Sequence, residues 1–256
     1  MRRRPRSAGQ TQRRRRKRHV INKKRLVLTM LLVTLGVEVA FVVFTCPVFY
    51  VRKIRPVGNR TISSAEIVQA LDIPPESNVF LIRKAMVVRQ ALKNPVVKEA
   101  RVYRRPPGTL VLRIVERKPH AVLDTGGTLY EVDSSGVPFR AVKEASADVP
   151  VIFCDLSSEV VFGKPLDDSA FKIGRECLLL AQQEEISGVA KITVDQNHHL
   201  CLNVRDDFEI RLGRPEQLSE KLGIAAQAMK QIPRLRQHGE YIDVTCPKAP
   251  VMKLGD

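Results

Sequence analysis

The stretch PVVKEARVYRRPPGTLVLRIVERKPHA, residues 95–121, decides the fold. Two runs in it, Val97–Arg104 and Leu110–Glu116, are rich in aliphatic and β-branched residues and read as strands. Leu110, Leu112 and Ile114 recur at period two and therefore share one face. Arg105-Pro106-Pro107-Gly108 between the runs is turn chemistry, which closes them into a hairpin. An apolar hairpin face is marginal in water until something covers it.

The residues upstream supply the cover. Ser63-Ser64-Ala65-Glu66 is a capping box, in which the Ser63 hydroxyl accepts from the amide at Glu66; it predicts a helix to about Leu71, stopped by Pro74-Pro75. Leu81, Ala85, Val88 and Leu92 repeat at helical spacing and predict a second helix with that apolar face, ended by Asn94-Pro95. Before both, Tyr50–Val57 reads as a strand ended by Gly58-Asn59, and Pro56, which cannot donate to a ladder, puts it at a sheet edge. The order is β-α-α-β-β.

Further toward the N-terminus runs LVLTMLLVTLGVEVAFVVF, residues 26–44. As a helix it spans ~28 Å, the thickness of a bilayer core. Thirteen of its residues are Leu, Val or Phe, each favouring insertion by ~0.3–0.6 kcal/mol against ~3 kcal/mol for the one acid, Glu38. The run ends Phe44-Thr45-Cys46-Pro47, without the small residues of a signal-cleavage site, so it reads as an uncleaved anchor. Glu38, just past the middle of the span, is a candidate polar contact to another membrane helix. Residues 1–25 carry thirteen Lys or Arg and no acid, which holds the N-terminus in the cytoplasm and exports the rest. Of the net charge of +16, only +3 remains for the other 231 residues. The basic pI therefore belongs to the tail, which has no aromatic residue for base stacking. It reads as a topology signal touching anionic lipid, with no specific nucleic-acid partner.

Downstream, from Ala121, the pattern changes to short strands and turns. Val122-Leu123 and Thr128–Val132 are joined through Gly126-Gly127, and Asp133-Ser134-Ser135-Gly136 turns into Val137–Val142. Val149–Phe153 follows. Asp168-Ser169 caps a helix through about Gln183, with Phe171, Leu178 and Leu179 available to face a sheet. Lys191–Asp195 and Leu200–Val204 form a hairpin, and Phe208–Leu212 adds a strand. Pro215 at a first-turn position opens a last helix, whose stripe is Leu218, Leu222, Ala225, Met229 and Ile232. Tyr241–Val244 is the final strand. Little sequence follows it, and Pro247 and Pro250 would stop pairing beyond Cys246, so it is expected at a sheet edge.

Several motifs carry a resemblance. Pro95-x-Val97, Ala100-x-Val102-x-Arg104, Pro107-x-x-Leu110-x-Leu112-x-Ile114 and the exit Glu116-Arg117-x-Pro119-x-Ala121 resemble the POTRA domain of the FtsQ/DivIB cell-division family. Leu212-Gly213, Lys221-Leu222 and Tyr241-x-Asp243 resemble the β domain of the same family. The resemblance implies an α+β protein in five parts: a basic cytoplasmic tail (1–25), a transmembrane helix (26–46), a POTRA domain (49–118), a mixed β domain with two helices (119–250) and a C-terminal tail (251–256). It implies a non-enzymatic divisome scaffold in the bacterial inner membrane at the septum. Its partners would be FtsB/FtsL-type coiled-coil proteins and, through them, the septal peptidoglycan synthase. It also carries partner docking onto Tyr241, Ile242, Asp243, Val244, Thr245 and Cys246, with Tyr241 as the aromatic anchor of an added strand. The alternative is a POTRA module for outer-membrane protein assembly or secretion, which usually occurs in series or ahead of a barrel.

The search for chemistry yields no catalytic set, cofactor or metal site. Ser169-Ala170-Phe171-Lys172 matches S-x-x-K, but no K-T-G accompanies it, and a helix start explains Ser169. His198, His199 and Cys201 are zinc-type residues, yet adjacent histidines in a turn point apart and no fourth ligand is evident. Cys154, Cys177, Cys201 and Cys246 would face an oxidising compartment, where three disulfide pairings or free thiols all fit the spacing.

Overall fold

The computed structural model describes residues 23–204, 208–231 and 239–254. The basic tail through Asn22, and Ile232 of the last helical stripe, lie outside the described residues. Helix α1, Lys23–Thr45, is exposed along its length and is long and apolar enough to cross a membrane. A single 3₁₀ turn, Pro47–Phe49, leads from it into the first domain.

That domain contains β1 (Lys53–Val57), α2 (Ser64–Ala70), α3 (Lys84–Ala91), β2 (Val97–Arg105) and β3 (Thr109–Glu116). The sheet order is β1-β3-β2, with β1 parallel and β2 antiparallel to β3. Pro56 therefore sits on an edge strand, where its missing donor costs no ladder bond. Leu110, Leu112 and Ile114 are 1–2% exposed and form a core with Val102, Ile67 and Val87. The Ser63 hydroxyl accepts from the Glu66 amide at 3.1 Å, as the capping box requires.

The face assigned to α3 is corrected. Leu81 and Leu92 are 62% and 44% exposed, and the buried residues are Ile82, Val87 and Ala91. The reason is local. Leu81 and Ile82 donate their amides to the Asn78 carbonyl in a turn ahead of the helix, so helical periodicity does not run through Leu81.

The second domain is one nine-stranded sheet, in the order β12-β11-β10-β9-β8-β7-β4-β5-β6. The strands are β4 (Ala121–Asp124), β5 (Leu129–Val132), β6 (Pro138–Val142), β7 (Val151–Cys154), β8 (Val189–Val194), β9 (Leu200–Val204), β10 (Phe208–Gly213), β11 (Gly239–Asp243) and β12 (Val251–Leu254). Helices α4 (Ser169–Gln183) and α5 (Leu218–Gln231) pack against its inner face. Asp168 is the N-cap of α4, its carboxylate accepting from the Phe171 amide at 3.1 Å, and Ser169 is the first helical residue. Phe171, Gly174, Cys177, Leu178 and Ala181 form the buried stripe, while Leu179 falls beside it at 37% exposed. Gly174 lets α4 lie close against the sheet: a Cβ there would lie 2.7 Å from Ile152 Cγ2. Helix α5 starts at Leu218, three residues after Pro215, because Gln217 takes a left-handed conformation (φ 55°). Pro215 thus belongs to the approach and not to the first turn.

The largest correction concerns the edge. Strand β11 is parallel to β10 on one side and antiparallel to β12 on the other. Pro247 and Pro250 lie in the intervening turn, so they interrupt the chain between two strands without preventing the second from pairing.

At the domain exit the Glu116-Arg117 pair makes two polar clamps, Glu116 within the first domain and Arg117 across to the second. The Glu116 carboxylate accepts from the amides of Arg60, Thr61 and Ile62 at 2.8, 3.0 and 3.2 Å, closing the turn that leads into α2. Arg117 donates to the Pro95 carbonyl at 3.1 Å and to Asp133 at 2.5 Å, and Asp133 in turn accepts from the Ser135 and Val137 amides. The motif at the domain exit is therefore a joint.

Candidate partner-docking site

Alternation along β9, β10 and β11 places Leu202, Ile210 and Ile242 inward, each 0% exposed. It turns Cys201, Glu209, Arg211, Tyr241 and Asp243 outward, onto the face that α4 and α5 leave uncovered. Register sets Glu209 beside Tyr241 and Arg211 between Cys201 and Asp243. The Arg211 guanidinium lies 4.0 Å from the centroid of the Tyr241 ring, a cation–π contact, and donates to Glu209 at 3.2 Å. Tyr241 is therefore not a core residue. It is a half-buried aromatic whose orientation a neighbouring cation fixes.

The electrostatics follow from these contacts. The Cys201 thiol donates to Glu209 at 2.9 Å, and this bond together with Arg211 holds the Glu209 carboxyl below its usual value. Burial and the same carboxylate push the Cys201 thiol up to about 12. A thiol in that environment stays protonated, which makes it a hydrogen-bond donor and a poor nucleophile or metal ligand. Hydrogen bonding to Glu209 raises Arg211 further above its ordinary value, so its charge is permanent. A groove of about 660 Å³ continues past the strand ends, lined among others by His199, Arg211, Gln217, Asp243 and Thr245. Beneath it Lys221, 3% exposed, donates to the Leu212 and Arg214 carbonyls at 2.8 and 2.7 Å and fixes the floor.

Of the residues expected to dock a partner, Tyr241 and Asp243 lie on this outer face, and Ile242 and Val244 are core. Thr245 and Cys246 are exposed beyond the strand, with the Thr245 amide held by the Asp243 carboxylate at 2.9 Å. Arg211, Glu209 and Cys201 complete the surface. Alternation was the available signal, since Phe208, Ile210 and Leu212 as core residues oblige Glu209 and Arg211 to point the other way. Glu38 lies on the exposed helix α1.

The catalytic and metal candidates disperse. The Ser169 hydroxyl is 3.2 Å from His198 Nε2, but both are on the surface, and Lys172 of the S-x-x-K match is ion-paired to Asp167. His199 turns to Asp195 at 3.2 Å and Cys201 to Glu209, so the three zinc-type residues serve separate partners. All five cysteines are free thiols.

Residues 49–117 match the family model described as POTRA domain, FtsQ-type. Residues 121–245 match the one described as Cell division protein FtsQ/DivIB, C-terminal. The two together define a cell-division protein with a POTRA domain and a β domain behind an apolar helix. Cell division protein FtsQ of Syntrophotalea carbinolica is 34% identical over 268 residues, an alignment covering 93% of this chain and 89% of that protein. DivIB of Clostridium tetani is 23% identical over 217 residues, covering 82% and 81%. The solved extracytoplasmic domain of DivIB from Geobacillus stearothermophilus is 16% identical, covering 44% of this chain and 92% of that one, with a TM-score of 0.31. The chain belongs to the FtsQ/DivIB cell-division family.

Proposed function

We propose that the chain is a non-enzymatic divisome scaffold, with its tail in the cytoplasm and both folded domains outside, at the division septum. Its outer β face docks an FtsB/FtsL-type coiled-coil partner and, through it, the septal peptidoglycan synthase. The observation that carries this reading is the Tyr241–Arg211 pair: an aromatic and a guanidinium, stacked and half-exposed on a rigid sheet, the residue types that dominate interface energetics. The thirteen basic residues before the span support the orientation. Glu38 is assigned a polar contact to a partner's membrane helix.

The corrected edge refines how the partner engages. Docking uses Tyr241 and Asp243 of the outer face and the exposed Thr245 and Cys246 just beyond the strand, and strand addition extends the sheet beyond β12, where Val251 is 57% exposed. The test is affinity of the full chain in nanodiscs for the coiled-coil partner pair. Tyr241→Ala is expected to weaken binding by about 2 kcal/mol, roughly thirty-fold, with unchanged melting. A chain shortened to Ala249 should also lose affinity. Tighter binding by the shortened chain would return strand addition to β11, and unchanged affinity of both Tyr241→Ala and Thr245→Pro would refute the site.

A further inference from the structure

The junction between α1 and the first domain has no slack. Two carbonyls of the last helical turn, Val43 and Phe44, accept from Asn78 Nδ2 at 2.9 and 3.1 Å, and Asn78 is itself 5% exposed. The segment after the helix is then gripped on two sides. On one, the Val51 amide donates to the Ser77 carbonyl and the Val79 amide to the Phe49 carbonyl, at 2.9 and 2.8 Å. On the other, the Arg52 amide donates to the Gly108 carbonyl at 2.9 Å, and a Cβ on Gly108 would stand 2.4 Å from the Tyr50 carbonyl oxygen. The membrane-proximal end of the domain is thus built from three pieces: residues 46–52, the β2–β3 turn at 105–108, and residues 77–86.

These pieces share one chemistry. They contain Arg52, Arg83, Lys84 and Arg105, all exposed, and no acid, Glu76 being adjacent. Among them are Val48 at 47%, Leu81 at 62% and Met86 at 39% exposure. A depression of about 430 Å³, lined among others by Phe44, Tyr50, Leu81, Arg83, Met86 and the one acid, Glu76, puts the end of the span and the start of α3 on one surface. An exposed Leu81 next to Arg83 and Lys84 is unfavourable in water and well suited to a bilayer interface, where apolar groups enter the acyl boundary and cations meet phosphates.

We propose that this surface is a seat on the anionic phospholipid bilayer that holds α1. Leu81, Met86 and Val48 enter the interfacial layer, and Arg52, Arg83, Lys84 and Arg105 bind lipid phosphates. The occupant follows from continuity with the span: with α1 filling the hydrocarbon, residues 45–50 lie in a headgroup layer about 5–7 Å thick, flanked by residues 77–86 and 105–108. The first domain then stands at a fixed height and rotation and does not swing on a tether. The proposal rests on α1 crossing the membrane.

Hydrogen exchange of the full chain tests it, in detergent and in nanodiscs of phosphatidylglycerol or phosphatidylcholine. In phosphatidylglycerol the amides of residues 77–86 are expected to exchange about tenfold more slowly than in detergent, with α4 unchanged. The double variant Leu81→Glu, Arg83→Glu alters only exposed side chains; it should keep its melting temperature and lose this protection. Protected α1 amides with residues 77–86 exchanging equally in phosphatidylglycerol and detergent would overturn the seat and leave the span intact. Equal protection in phosphatidylcholine, or protection that survives the double variant, would also overturn it. Unprotected α1 amides in nanodiscs would overturn the span and the seat together.

Discussion

The first domain and the second each cover one sheet face with two helices, yet they are held by different chemistry. The three-stranded sheet has a small core and is fixed at both ends by side chains bonded to backbone or to a buried ion: Asn78 toward the span, Arg117 toward the second domain. The nine-stranded sheet is held by aliphatic packing under α4 and α5, with buried Asp168 and Lys221 bonded to backbone at helix and strand ends and a charge-paired cluster on the outer face. Their uncovered faces differ as well. Register on the first sheet lines up Lys53, Arg55, Arg101, Arg105 and Arg113 with one acid, Glu99, whereas on the second Glu209, Arg211 and Asp243 stand beside one another. The first domain reads as a positioning piece whose polar joints set its angle. The second is a self-supporting body that presents a stiff, charge-paired surface.

That contrast can be broken at the joint. Asp133 is 3% exposed, and removing it leaves Arg117, 14% exposed, facing an emptied site. Asp133→Ala is expected to destabilise by about 3–5 kcal/mol in urea unfolding, because a buried charge loses its partner. A cost no larger than that of a surface substitution would mean the domains are joined by packing, like the interior of the second. Within the second domain the expected failure is steric. Gly174→Ala forces a methyl against Ile152 and Val194 and should cost about 1–3 kcal/mol. Gly223→Ala in α5 meets only Glu184 Oε2 at 3.6 Å and should be neutral or stabilising, by up to about 1 kcal/mol.

Smaller effects sharpen the picture of the first domain. Asn78→Ala removes the bonds to the helix end and should cost about 1–3 kcal/mol, read as a lowered melting temperature in nanodiscs. Glu116 gives a pH signature. Burial raises its carboxyl, but amide bonds from Arg60, Thr61 and Ile62 outweigh that and hold it below its ordinary 4.5. A depressed value in the folded state means a contribution fully present above 4.5 and lost as pH falls through the folded value. Glu116→Gln should flatten stability against pH in that acid range, and an unchanged slope would place the acid sensitivity elsewhere. Smallest of all, Ser169→Ala at the exposed start of α4 should shift stability by less than about 0.5 kcal/mol and leave septation intact. Blocked division by a folded, localised Ser169→Ala protein would instead turn the Ser169–His198 contact into a catalytic question.

Local pattern determined a good deal on its own. Period-two aliphatics gave β2 and β3, the Ser63 and Asp168 caps gave the starts of α2 and α4, and an apolar run gave α1, because each signal lies within a few bonds of the structure it specifies. Tertiary structure alone decided the rest. Which face α3 buries depended on a turn held by Asn78, and that side chain is pinned to a helix far behind it in sequence. Whether β11 was an edge depended on whether the chain beyond two prolines returned to pair, which proline rules for a single strand do not address. Arg211 met Tyr241 because β10 and β11 are parallel neighbours in one register, so a cation and an aromatic distant in sequence were set one strand spacing apart. Composition and periodicity specify elements, but side-chain partners between elements are chosen by topology and register, and the proposed docking surface is made of such partners.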